Sequence, residues 1–390
     1  MSVEKVWRIA VLPGDGIGPE VTAGALRCLA LLRERGLCAL QWEELEWPST
    51  DWHRRHGRMM PEDGLARLGE YDALLLGALG DPGPLSDAGR YVLSDSISLA
   101  PLLQIRKGFD QWVCERPARQ LPGARCYLAD PRARETDMLV IRENSEGEYV
   151  GMGGRLRPGT SEEIVTQTEL FTRRGTERII RYGFERARAR AAERREAGSA
   201  RTFTDAAGNE RDSQLCLITK RNALSHWGDL YTEVFAEIAP EYPDVATHHE
   251  LVDAACMKFV QAPWQFDVVV ASNLQGDILT DLAAVISGGL GVAPSCNLNP
   301  DDRSRPSMFE PTHGSAPDIA GRNLADPTAM LFTTARMLYW LGESDEHAAR
   351  AGELLHEATA ADLAEHGGSR RATDAVTEAV LARLEGLCGE

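Results

Sequence analysis

Asp277 and Asp281 stand four residues apart in Gly276-Asp277-Ile278-Leu279-Thr280-Asp281, a run with helical patterning. In a helix that spacing puts both carboxylates on one face. Like charges so placed repel by roughly a few tenths of a kcal/mol unless something lies between them. A cation between them is one reading. The other is that Asp277 starts the helix and Asp281 is solvated, and spacing alone leaves both open. The preceding Phe266 to Ala271, with three valines in a row, reads as a buried strand. The pair would then sit beyond the carboxyl end of a strand, where open α/β sheets bind ligands. Asp253, within an apolar run, adds a third carboxylate that is expected to find a partner. Three aspartates with no nearby Cys or ordered His set form a hard-oxygen site, suited to Mg²⁺ or Mn²⁺ rather than zinc.

Other groups could share that chemistry. Arg106, Arg116 and Arg142 each follow or end an apolar stretch. Arginine suits bidentate grip on carboxylates, although a structural salt bridge is the commoner use of any one of them. Lys220 ends the strand-like Leu215 to Thr219, where a lysine can lose its proton and act as a base; an ordinary surface lysine is commoner by composition. Tyr149 closes RENSEGEY, where an amphipathic strand-end tyrosine is also plausible. His313 lies in a Gly/Pro/Ser-rich loop whose backbone N–H groups could meet phosphates; a loop histidine bonded to backbone is the commoner case.

Composition narrows the classes. The chain has 390 residues, 43% hydrophobic and 26% charged, which fits one large or two intertwined globular domains. A net charge of −17 argues against a nucleic-acid or anionic-membrane partner. The eight cysteines form no C-x-x-C pair and read as reduced core thiols of a cytoplasmic protein. The opening MSVEKVWRIAVL lacks signal-peptide architecture, and no apolar run is long enough to span a bilayer.

The elements that must position these groups alternate strand and helix. Val6 to Leu12 reads as a strand leading through PGDGIGPE into a helix to about Arg35. This is not a Rossmann fingerprint, because Pro19 stands where the third glycine belongs. Tyr71 to Gly77 reads as a buried strand, followed by a loop over 79–95 rich in Gly, Pro, Ser and Asp. Residues 151–168 read as a hairpin with one polar face, and Thr172 to about Arg195 as a helix. Residues 197–214 read as a long, polar, mobile loop. Met330 to Leu341 and Glu346 to Leu387 read as closing helices.

GDILTDL after a VVVASN strand, with VDAACMKFV upstream, resembles the metal-dependent β-decarboxylating dehydrogenases: those of isocitrate, isopropylmalate, D-malate and tartrate. PGDGIGPE and EPTHGSAPDIAG add to the resemblance, which runs from about Ile9 to about Gly342. It implies a two-domain α/β fold of the isocitrate/isopropylmalate dehydrogenase type, not a Rossmann fold. A cofactor-side domain would combine 1–111 and 288–390. A second domain, 112–287, would hold a dimerisation arm at about 151–168 and the metal helix. The resemblance assigns Asp277, Asp281 and a partner subunit's copy of Asp253 to the metal, Arg106, Arg116 and Arg142 to substrate carboxylates, Lys220 to the hydroxyl proton and Tyr149 to the enol carbon. Leu102 and Leu103 would border the substrate. They are apolar where isocitrate enzymes place polar groups, which argues against isocitrate.

The resemblance further places Asn222 by the nicotinamide, and Glu310, His313, Gly314, Ser315, Ala316, Asp318, Ile319 and Asp326 around the rest of the cofactor. NADP-dependent members carry Lys and Tyr at the positions of Asp318 and Ile319, so NAD is expected. Asp326 replaces a family asparagine that contacts adenine and lacks its amide donor, which would weaken or rearrange that contact. The implied activity is NAD- and Mg²⁺- or Mn²⁺-dependent oxidation, with β-decarboxylation, of a 2-hydroxy diacid by a homodimer with shared active sites, with K⁺ left open as a further ion. The tartrate/D-malate branch looks nearest. 3-Isopropylmalate is the alternative, and the 79–95 loop and 197–214 insertion leave room for a specialised substituted malate. The intact Lys220, Tyr149 and three aspartates argue against a non-catalytic paralogue.

Overall fold

The computed structural model describes residues 5–80, 93–367 and 369–389. It falls into two compact units, one of Met1–Gln111, Gln120–Tyr127 and Ser287–Glu390, the other of Trp112–Arg119 and Leu128–Ile286. Most of the 79–95 loop lies outside the described residues.

In the first unit, Trp7–Gly14 pairs in parallel with Leu40–Glu44 and Ala73–Ala78. Ala73–Ala78 pairs in parallel with Ser307–Pro311, which pairs antiparallel with Pro294–Leu298. The buried ALLLGA strand shows no alternation because both its faces are covered. Leu12, Leu74, Leu76, Ile105 and Met308 meet on one side of this sheet. Residues 120–127, which the sequence placed in the second domain, belong here: Ala124 packs with Phe332 and Leu363, and Gln120 donates to the Ala124 carbonyl. The closing segment forms three helices, Thr328–Gly342, Glu346–His366 and Thr373–Leu387.

In the second unit the strand order is Ala246–Leu251, Gln214–Thr219, Val268–Ala271, Asp137–Glu143, Val113–Arg119. All neighbours are parallel except the last pair. VVVA is fully buried, as its composition demands. Helix Asn273–Ile286 lays Leu279, Ala283 and Ile286 onto Val140, Val269 and Ala271. Gly147–Leu156 and Ile164–Leu170 form a separate antiparallel arm. The 197–214 segment is not featureless: Phe203–Thr204 and Glu210–Arg211 pair as a short hairpin, and Asp205 accepts from the Ala207 and Asn209 amides at its turn. No helix among the described residues is long and apolar enough to cross a membrane.

Candidate active site

The second unit gathers five of the expected groups. Arg116 pairs across the antiparallel ladder with Val140, and Arg142 with Cys114, so the two arginines are diagonal neighbours on one sheet face. Helix Asn273–Ile286 crosses that face. It comes so close that a Cβ on Gly276 would lie 2.7 Å from the Arg142 Cβ, and glycine alone fits there. The turn after the strand's end then places Asn273, Asp277 and Asp281, one helical turn apart each, over the arginines.

Arg142 is buried and doubly anchored. Its Nε and Nη2 donate to the Asn273 Oδ1 at 2.9 and 2.7 Å, and its Nη1 bonds the Asp277 Oδ1. Asn273 is itself fixed by donating Nδ2 to the Glu146 carbonyl at 2.8 Å. Arg116 donates Nη1 to the Thr280 hydroxyl at 2.8 Å and lies 3.4 Å from Asp281 and 3.9 Å from Asp277. The Tyr149 hydroxyl donates to the other Asp277 oxygen at 3.2 Å, and its ring lies 5.3 Å from the Arg142 guanidinium. Burial and then the Asp277 charge push the Tyr149 phenol above its ordinary range, so it holds its proton. Burial also raises the Asp281 carboxyl, with the Asp277 charge adding to it and Arg116 opposing.

Lys220 and Asp253 form a second group in the same unit. The Lys220 Nζ donates to the Asp253 Oδ1 at 2.8 Å, and that bond holds the Asp253 carboxyl below its ordinary range. Asp253 opens helix Val252–Gln261 and is exposed, unlike its apolar neighbours. Asn222 lies in the exposed turn that follows Lys220. Asp253 is not brought together with Asp277 and Asp281: among the described residues no three His, Cys, Asp or Glu form a metal-holding group. Asp277 and Asp281 offer hard oxygens with partly exposed carboxylates, 37% and 63%, so they fit a divalent cation as two of its ligands. A third carboxylate would have to come from outside this group.

The first unit carries the remaining candidates. The amide of Ile17 donates to the Ser315 carbonyl at 2.8 Å, binding PGDGIGPE to GSAPDIAG. Gly16, at φ 60°, could carry no side chain there, since its Cβ would sit 1.9 Å from the Ser315 oxygen. Ala316 takes a positive φ of 38° beside it. Gly314 and Asp318 are exposed. Asp318, Ile319, Leu324 and Asp326 line a cleft of about 500 Å³ together with His366 and Arg370. Asp326 uses Oδ1 to accept the Thr328 amide at 3.0 Å, at the start of helix Thr328–Gly342. The side chain that would replace an adenine-binding amide therefore holds a backbone amide two residues on.

His313 donates Nδ1 to the Gly314 carbonyl at 3.1 Å, its Nε2 is buried without a partner, and burial lowers its basicity. Glu310 is buried and its Oε1 accepts from Arg106 at 2.7 Å and from Asn297 at 2.9 Å. Arg106 and Glu310, expected to serve substrate and cofactor separately, thus bond each other. Leu103 is half-buried, and Leu102 packs on the hydrophobic core beside Ile105.

Three residues escaped the sequence reading: Asn273, Thr280 and Asn297. Asn273 was legible, because it continues the Asp277/Asp281 spacing by one turn. Thr280 and Asn297 carried no local signal.

A family model described as isocitrate/isopropylmalate dehydrogenase matches residues 8–380. The chain is 43% identical over 343 residues to the D-malate dehydrogenase [decarboxylating] of Escherichia coli, covering 88% of this chain and 87% of that one. It is 43% identical over 351 residues to the tartrate dehydrogenase/decarboxylase of Pseudomonas putida, with coverages of 88% and 87%. It is 43% identical over 369 residues to the 3-isopropylmalate dehydrogenase of Thermobifida fusca, 94% of each. The crystal structure of isocitrate dehydrogenase from Methylococcus capsulatus superposes with a TM-score of 0.77 at 29% identity, over 97% of this chain and 100% of that one. Isocitrate/isopropylmalate dehydrogenase is the family to which this chain belongs, as a decarboxylating oxidoreductase acting on a CH–OH group.

Proposed function

We propose that the protein oxidises and β-decarboxylates a malate-type 2-hydroxy diacid, D-malate or a tartrate, with NAD and Mg²⁺ or Mn²⁺. The carrying observation is Asp277, a partly exposed carboxylate held at once by Arg142, by Tyr149 and, more loosely, by Arg116. That arrangement puts a hard metal ligand, two cationic grips for carboxylates and a phenolic proton in contact.

Asp277 and Asp281 would hold the divalent cation, with Asp253 contributed by a second copy. When bound, the cation supplies Lewis acidity toward a hydroxyl and toward the oxyanion that decarboxylation leaves. NAD supplies the hydride acceptor. Arg116 and Arg142 orient the substrate carboxylates, and Arg106 is the third grip. Lys220 accepts the hydroxyl proton and Tyr149 returns one to C3. Asn222 borders the nicotinamide. The 310–326 loop, through Glu310, His313, Gly314, Ser315, Ala316, Asp318, Ile319 and Asp326, holds the remainder of the cofactor. A carboxylate at Asp318 accepts ribose hydroxyls and repels a 2′-phosphate, which favours NAD over NADP.

A homodimer completes the site. Helices Val252–Gln261 and Asn273–Ile286, which carry the three aspartates, expose Met257, Val260, Ile278 and Val285, and the arm exposes Leu156, Ile164 and Val165. Uncovered apolar faces of that extent call for a partner, and a second copy is the one proposed. The free cysteines, buried or half-buried, support a reducing cytoplasmic setting. 3-Isopropylmalate remains the second reading, favoured by the half-buried apolar Leu102 and Leu103 and by a relative of that name at 43% identity.

NADH formation and CO₂ release are to be measured with Mn²⁺ or Mg²⁺ on D-malate, the tartrates, 3-isopropylmalate and isocitrate. Turnover of D-malate or a tartrate above the others supports the proposal. Preference for 3-isopropylmalate selects the second reading. Silence on all four, with NAD and metal still bound, overturns both and leaves a substituted malate.

A further inference from the structure

A lysine carries its amine on a flexible four-carbon stem, so a base such as Lys220 works only if its main chain is held still. The Lys220 carbonyl accepts the amides of Ala223 at 2.9 Å and Leu224 at 2.8 Å, which closes the turn after strand Gln214–Thr219. The preceding Thr219 is fully buried, and its hydroxyl oxygen accepts the Arg221 amide at 3.3 Å. One side chain therefore ties together the residues on either side of Lys220.

That hydroxyl is anchored in turn. The His249 Nε2 lies 2.8 Å from it. In the parallel ladder Leu217 pairs with His249 and Thr219 with Leu251, so Thr219 and His249 stand on one face of the sheet, two residues apart in register. After Arg221, the Thr219 hydroxyl keeps a proton and a second lone pair, and either suits a ring nitrogen. The strand neighbours of His249 are engaged elsewhere: His248 bonds Glu250, which also takes the Lys258 ammonium.

The other anchor of Lys220 is its Nζ bond to the Asp253 Oδ1 at 2.8 Å. Asp253 is the exposed carboxylate proposed for a second copy's metal. Drawn onto a cation, Asp253 would loosen its hold on the lysine. The placing of Lys220 would then fall to its main chain, which His249 steadies from the adjoining strand.

We infer that His249, acting through the Thr219 hydroxyl, is a positioning residue for Lys220. The inference rests on the reading of Lys220 as the group that accepts the substrate's hydroxyl proton.

The test is steady-state kinetics of the full-length enzyme with NAD, Mn²⁺ and the diacid it turns over best. Thr219→Val keeps the shape and removes the hydroxyl, and His249→Leu removes the ring nitrogens. Each should lower kcat by about tenfold or more with both KM values little changed. The solvent deuterium isotope effect on kcat should rise, because a misplaced base slows the proton step. Thr219→Ser and His249→Gln, which can still bond, should recover most of the loss. Amide hydrogen exchange at Ala223 and Leu224 needs no substrate and should quicken by about tenfold in Thr219→Val. Unaltered exchange, wild-type kcat in Thr219→Val and His249→Leu, or a lowered kcat with an unchanged isotope effect would overturn the inference, the last marking a merely structural tie between strands. Lys220→Met separates it from the reading beneath it. Turnover surviving there removes Lys220 as the base, and this inference with it. Turnover lost there but kept in Thr219→Val overturns the role of His249 alone.

Discussion

Arg106 and Glu310 meet at 2.7 Å, both buried, with Asn297 donating to the same carboxylate oxygen. They lie 204 residues apart in the chain. A buried guanidinium left without its counter-charge is costly, about 3–5 kcal/mol for the loss of one partner. Glu310→Ala should therefore lower unfolding stability by about that much, and Glu310→Gln, which keeps an acceptor, by less. Because Glu310 aims Arg106, the Gln variant should raise KM for the diacid more than KM for NAD. Denaturant unfolding and the two KM values check this; a change confined to NAD would return Glu310 to a purely cofactor role.

Asp277→Asn keeps the shape but removes a hard, charged oxygen. Metal-dependent turnover should fall by about 100-fold or more, the scale seen when even outer-sphere metal partners are lost. Chelation should abolish wild-type activity, and Mn²⁺ or Mg²⁺ should restore it. Full turnover in the variant would sink the metal assignment.

Asn273 accepts two bonds from Arg142, and hydrogen bonds to charged groups contribute about 1.5–3 kcal/mol each. Asn273→Ala frees Arg142 to swing, and kcat/KM should drop about tenfold or more. Asn273→Asp, which retains the acceptor, should recover part of it. Steady-state kinetics of the pair distinguishes aiming from simple loss of fold.

The cofactor proposal is open to charge reversal at Asp318. Asp318→Lys replaces a repulsive contact with a 2′-phosphate by an attractive one, a change of several kcal/mol for juxtaposed charges. The NADP-to-NAD ratio of kcat/KM should rise by about 100-fold. An unchanged ratio would place the ribose elsewhere.

His249 gives a pH prediction. Its Nε2 lies 2.8 Å from the Thr219 hydroxyl, and burial, with Arg221 adding to it, lowers its pKa from 6.5. The unfolded chain therefore binds the proton more readily than the folded one. The stability contributed by neutral His249 is complete above pH 6.5 and is lost as pH falls from there through the depressed folded pKa. His249→Gln should flatten the fall of the unfolding midpoint between pH 7 and 5.5, measured against wild type. An unaltered slope would show that His249 does not titrate differently on folding.

The sequence alone determined whatever depends on near neighbours. The three valines of Val268–Ala271 demanded a strand buried on both faces, and the four-residue spacing of Asp277 and Asp281 fixed a shared helix face. The positive φ at Gly16 and the packing at Gly276 likewise belong to glycines already visible in their motifs. Pairings across the chain were decided only by the order of strands in the sheet. Arg142 reaches Asn273 over 131 residues because Asp137–Glu143 neighbours Val268–Ala271, whose following helix folds back over it. No local pattern says that Glu310 will hold Arg106, that residues 120–127 will join the first unit, or that Arg201 of a polar insertion will bond the Trp264 carbonyl. Helical and strand periodicities report which face a residue occupies, but not what faces it, and the chemistry of this protein lies in those facing pairs.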